Sequence, residues 1–191
     1  MMKIKGSLLI FPIAVCLLIA GVALYIWLGC YNIAATVPHW KVTHLFLEEV
    51  RERSISAHGR GIIVPPLKEP KFMDMGFKNY HAMCRLCHGA PGYSQTEIAK
   101  GFYPPPPDLT KEESAVRDRN GAELYWVIKN GIKMTGMPAF GPTHSEDELW
   151  GVVSFLKKLP SLKPEEYKAM VKAAGLHGER EDDHPHGHKA H

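Results

Sequence analysis

The stretch Met83-Cys84-Arg85-Leu86-Cys87-His88-Gly89 decides how the chain is read. Two cysteines stand three apart, with a histidine directly behind the second. That spacing admits four readings: haem attachment, half a zinc site, a redox dithiol, or chance. A zinc site needs four ligands, usually with a second cysteine or histidine pair at matching spacing. The remaining cysteines are Cys16 and Cys30, inside and at the edge of a long apolar run. A thioredoxin-like dithiol wants a βαβ setting, whereas the flanks here read as helix. The haem reading alone uses His88. Two thiols add to the two vinyl groups, and the next residue brings an imidazole nitrogen to the iron.

The compartment agrees with that chemistry. After Lys5 the next charged residue is Lys41, and residues 8–28 are almost unbroken apolar sequence. As a helix this run reaches roughly 30 Å, the thickness of a bilayer core. It is longer than the apolar region of a cleaved signal, about 7 to 15 residues. Lys3 and Lys5 precede it, so the positive-inside rule keeps the N-terminus cytoplasmic and exports the rest. Haem attachment takes place on that outer face in bacteria. Leu28-Gly29-Cys30 also invites a lipoprotein reading, against which stand Trp27 and the length of the run. Cys16 reads as a small buried hydrophobe. It lies about 21 Å from Cys30 along a continuous helix, so the two cannot pair. A net charge of +3 over 191 residues does not argue for nucleic-acid binding.

The expected organisation is all-α. Residues 1–7 form a cytoplasmic N-terminus and 8–29 a transmembrane anchor. Residues 30–70 hold a juxtamembrane amphipathic helix and a Pro/Gly linker. The folded domain spans 71–160, and a C-terminal extension with a histidine-rich, disordered tail spans 161–191. In the amphipathic helix, Val42, Leu45, Phe46 and Val50 share one face, which could lie on the membrane or pack on a partner. Helices are expected over 72–84, over 121–130 closed by Gly131, and from Ser145, with Glu148 at the capping-box position. Residues 89–110 read as loop, with four consecutive prolines favouring an extended polyproline path. His177, His184, His186, His188 and His191 in the tail fix no metal geometry.

An electron-transfer haem needs a second axial ligand. In Gly131-Ile132-Lys133-Met134-Thr135-Gly136-Met137-Pro138, Met137 is flanked by a glycine that permits close backbone approach and a proline that stiffens the loop. Met134 is its rival, and His144 reads as a loop residue. The axial histidine also needs an acceptor for its other ring nitrogen. Pro107 offers a carbonyl in a stiff backbone, and Leu109 could cover the haem face.

In order and spacing, residues 71–160 resemble class I c-type cytochromes: "GFKNYHAMCRLCHG", "PPDLT", "GIKMTGMPAFG" and "SEDELWGVVSFLKKLP". The resemblance implies a small all-α fold around one covalently bound haem c, with one haem edge exposed. It implies Cys84 and Cys87 as thioether sites, His88 and Met137 as iron ligands, and Pro107 as the carbonyl that orients His88. Gly76 and Tyr80 match the contact of the first helix with the last, with Trp150 as the aromatic partner. The expected function is that of a membrane-anchored, periplasmic electron carrier in the bacterial inner membrane, not itself an enzyme. Its partners would be redox proteins or a respiratory complex, with Lys100, Lys129 and Lys133 able to steer an acidic one. The alternatives are a subunit of a quinol-oxidising or nitric-oxide reductase complex, or a haem enzyme or gas sensor with a labile distal ligand.

Overall fold

A computed structural model describes residues 5–111 and 118–176, with side chains from residue 10 onward. The histidine-rich tail from His177 lies outside the described residues. The chain divides into two units, one up to Pro38 and one from His39.

The first unit is helix α1, Lys5–Trp27, with Pro12 inside it. Its window Ile10–Trp27 is long and apolar enough to cross a membrane, and side chains such as Ile10, Phe11, Leu17 and Leu18 are exposed rather than packed.

The second unit is helical, with no strand among its described residues. Its longer helices are α2 (Lys41–Gly59), α3 (Pro70–Asn79), α4 (Gly121–Asn130), α5 (Glu146–Lys158) and α6 (Pro164–Ala173). Helix α3 runs on through a π-helical segment, Tyr80–Cys84, and a last turn, Arg85–His88. The helix thus carries the whole cysteine motif, where the periodicity ended it at residue 84. The loop of 89–110 also contains a short helical turn, Glu97–Lys100, capped by Thr96. Helices α4 and α5 open on capping boxes, Asn120 with Glu123 and Ser145 with Glu148, which satisfy backbone donors that helix starts leave orphaned.

Helix α3 crosses α5 at two glycines. A Cβ on Gly76 would stand 1.8 Å from the Gly151 carbonyl oxygen, so only hydrogen fits there. The aromatic contact differs from the expected Tyr80–Trp150 pair. Tyr80 meets Phe155, ring centres 5.3 Å apart, while Trp150 stacks on Tyr125 of α4 at 4.0 Å. Each residue turns a helix by about 100°, so Trp150, next to Gly151, faces α4 instead of α3.

Two helices outside 71–160 share this packing. Tyr167 and Val171 of α6 are buried in the core cluster. The Tyr167 hydroxyl lies 2.9 Å from His81 Nδ1, which brings α6 against the π segment. Helix α2 packs on α4 through its C-terminal half. Ile55 is buried, His58 stacks on Trp126, and Arg119 makes a two-pronged bond to Glu52 with both contacts at 2.6 Å. The face of Val42, Leu45, Phe46 and Val50 remains exposed, Val42 by 70%. Helix α2 therefore meets the domain with its more polar side.

Candidate haem site

The motif residues occupy the end of the α3 continuation. Cys84 and Cys87 are free thiols, and both are partly buried. Burial first, and then the neighbouring Cys87, push the Cys84 thiol up to about 12, so in the folded chain it stays protonated. The helix stops at Gly89, whose φ of 71° is a left-handed conformation that glycine adopts without a Cβ penalty. The Tyr80 hydroxyl donates to the Gly89 carbonyl at 2.6 Å, and Ala90 and Tyr93 close a tight turn with reciprocal backbone bonds. Tyr80 is fully buried, so this bond pins the end of the motif to the core.

His88 Nδ1 lies 2.8 Å from the Pro107 carbonyl oxygen. With Nδ1 donating there, Nε2 holds the lone pair and can bind a metal. Burial, the largest influence, lowers the His88 pKa, opposed by the Pro107 carbonyl and by Asp108; the net effect favours the neutral ring that a metal requires. Leu109 is buried, and its N–H donates to the His88 carbonyl at 3.2 Å. Pro107 and Leu109 thus reach His88 from one segment. Asp108, between them, accepts from the Thr110 N–H and hydroxyl.

Met137 sits in a loop held at several points. Ile132 N–H donates to the Met137 carbonyl, the Thr135 hydroxyl donates to the Ile132 carbonyl, and Met137 N–H donates to that hydroxyl. Gly131, φ 66°, permits the return of the chain, because a Cβ there would meet Ala139 N, Met137 O and Pro138 C at 2.7 Å. The Phe102 ring lies 3.1 Å from a Cβ built on Gly136. Met137 is partly buried, while Met134 is 92% exposed. His144 Nδ1 stays within its own turn, near the Thr143 hydroxyl and the Phe140 carbonyl. Of the lysines suggested as steering charges, Lys129 is paired to Glu146 at 3.0 Å, whereas Lys100 and Lys133 are exposed.

Sequence reasoning passed over Gln95 and Thr96. The Gln95 amide nitrogen donates to the Cys87 and Pro106 carbonyls, and the Thr96 hydroxyl and N–H both donate to the Leu86 carbonyl. They lie in a loop with no periodicity, so nothing in the pattern marks them.

The donor set fits a covalently held haem in its chemistry: two free thiols, an imidazole oriented by a carbonyl at the next position, and a partly buried thioether in a second tethered loop. Among the described residues no cluster of three or more His, Cys, Asp or Glu is arranged for a metal ion. Residues 72–156 match the family described as cytochrome c oxidase, cbb3-type, subunit III. Residues 72–156 form a class I c-type cytochrome domain. A covalently bound haem c follows from that membership. The cytochrome domain occupies under half of the chain; α1, α2 and α6 lie outside the match. A comparison with curated proteins finds no match.

Proposed function

We propose that this chain is a membrane-anchored, periplasmic monohaem electron carrier, with Cys84 and Cys87 as thioether sites and His88 and Met137 as the iron's axial ligands. The observation that carries the reading is the 2.8 Å contact between His88 Nδ1 and the Pro107 carbonyl, which leaves Nε2 of the residue after Cys87 free to bind a metal. Haem c supplies a single Fe(III)/Fe(II) couple. The chain's own residues hold and tune it. Pro107 fixes the tautomer and plane of the imidazole. Met137 offers a soft, neutral sulfur that favours the reduced state and raises the potential relative to a second histidine. Leu109, buried beside His88, would help keep water from the bound group. The job is then outer-sphere electron transfer, with α1 confining the domain near membrane partners and raising its effective concentration there.

The test is a spectrum of the purified ferric holoprotein and of Met137→Ala. The unsubstituted protein shows the weak charge-transfer band of methionine-bound iron and resists carbon monoxide when reduced. In Met137→Ala the band is lost and carbon monoxide binds. An unchanged spectrum in the variant would reject Met137, and ready carbon monoxide binding by the unsubstituted protein would favour a sensor or enzyme.

A second reading, a subunit of a larger membrane oxidoreductase, draws support from the family's description and from the exposed apolar face of α2, on which Phe46 is 66% exposed. Solubilising native membranes in mild detergent and isolating the chain separates the two readings. A stoichiometric partner favours the subunit, and a lone cytochrome favours the carrier.

A further inference from the structure

Gln95 bridges the two segments that meet at His88. Its amide nitrogen lies 2.8 Å from the Cys87 carbonyl oxygen and 2.9 Å from that of Pro106. Of the two ends of the Gln95 amide only the NH2 can donate to two carbonyls at once; its oxygen, or a carboxylate in that place, would face two acceptors. The two carbonyls belong to the residues just before His88 and Pro107, whose Nδ1 and carbonyl oxygen are themselves in contact. Leu109 N–H, donating to the His88 carbonyl, closes the same seam from the far side. Gln95 is thus a side-chain tie across this seam that does not use the imidazole.

We infer that Gln95 is a positioning residue: by clamping the Cys87 and Pro106 carbonyls it sets the His88–Pro107 hydrogen bond, and through it the reduction potential of the bound haem. The inference deepens the proposed reading of His88 as an iron ligand and rests on it. A carbonyl that accepts from Nδ1–H makes the other ring nitrogen a stronger donor, which stabilises the ferric state. When the clamp is released, the bond lengthens and weakens, and the potential moves upward. A residue that merely held the loop together would lower stability and leave the potential where it was.

The experiment compares the holoprotein with Gln95→Leu, which keeps most of the volume and loses the donors, and with Gln95→Glu, which keeps the shape and offers only acceptors. In the reduced, diamagnetic state the His88 Nδ1 proton is expected to exchange with solvent at least tenfold faster in both variants. The midpoint potential rises in Gln95→Leu, while the methionine charge-transfer band persists. An unchanged exchange rate and potential in Gln95→Leu, with only a lower melting temperature, would overturn the inference. Should the variants not fold, NMR of the unsubstituted holoprotein decides. Scalar coupling from the Gln95 amide to the Cys87 and Pro106 carbonyls supports the clamp, and its absence refutes it. Loss of the axial-ligand assignment itself shows in the spectrum of the unsubstituted protein, which separates a failure of the proposed function from a failure of the clamp.

Discussion

A side chain at position 76 has no space to occupy. The nearest atom to a Cβ there is a backbone oxygen at 1.8 Å, and backbone cannot rotate away as a flexible side chain can. Gly76→Ala must push α3 off α5, as overpacking does, at a cost of about 1–3 kcal/mol or more. Guanidinium melts of the holoprotein should show a lower midpoint with an unchanged slope. Tyr80 acts at the same scale by a different means. Tyr80→Phe keeps the ring against Phe155 and removes the donor to the Gly89 carbonyl. A buried carbonyl left without a partner costs about 1–3 kcal/mol, so this variant should also melt earlier. A midpoint equal to that of the unsubstituted protein would mean that water replaces the hydroxyl.

At the scale of elements, α2 is held to α4 by a mixed contact. Partial burial raises the Glu52 pKa, but hydrogen bonds and charge attraction from Arg119 and Arg51 more than offset it, and the carboxyl ends below its ordinary 4.5. A lowered carboxylate contributes stability that is full above the unfolded value and is lost as the pH falls through the folded one. The pair is partly exposed, so its contribution stays under about 1 kcal/mol. The protection factors of the amides in residues 52–59, taken relative to intrinsic exchange at each pH, should fall as the pH drops below 4.5, and Glu52→Gln should show the lower factors already at neutral pH. Helix α6 is held more strongly. Tyr167 is fully buried among Phe77, His81, Tyr93 and Phe155. Tyr167→Ala removes a large aromatic from that cluster and should cost on the order of 3 kcal/mol, as other large-to-small core changes do. Denaturant unfolding measures it, and a loss below about 1 kcal/mol would show that α6 is dispensable to the domain.

For the whole molecule, the two units differ in where their apolar side chains lie. The Ile10–Trp27 window is apolar and its large side chains are exposed, whereas the unit from His39 builds a buried apolar core around α3 and α5. If α1 is the anchor, the full chain stays in the membrane fraction through an alkaline carbonate wash. A chain whose residues 1–29 are replaced by a cleavable secretory signal should appear in the soluble fraction with the same haem spectrum. Release of the full chain by the wash would count against anchoring.

Much of this protein was legible in the linear pattern because its signals are local. The apolar run of α1, the capping box of Ser145 with Glu148, the stop at Gly131 and the Cys-x-x-Cys-His motif all rest on residues a few positions apart, whose physics needs no distant partner. The contact of His88 with Pro107 was anticipated otherwise, from an axial histidine's need for an acceptor, the stiff carbonyl of a proline, and the resemblance to class I c-type cytochromes. Contacts between positions far apart in the chain were decided by tertiary structure. Trp150 turned to Tyr125, while Gly76 and Gly151 set the crossing, because helix rotation depends on which face finds the closest backbone approach. Tyr167 reached His81 across 86 positions, and Gln95 found two carbonyls that only the fold brings within reach of one amide. The apolar stripe of α2 was visible in the sequence as a face. That it would point away from the domain depended on Ile55, His58 and Glu52 finding partners on and beside α4 first.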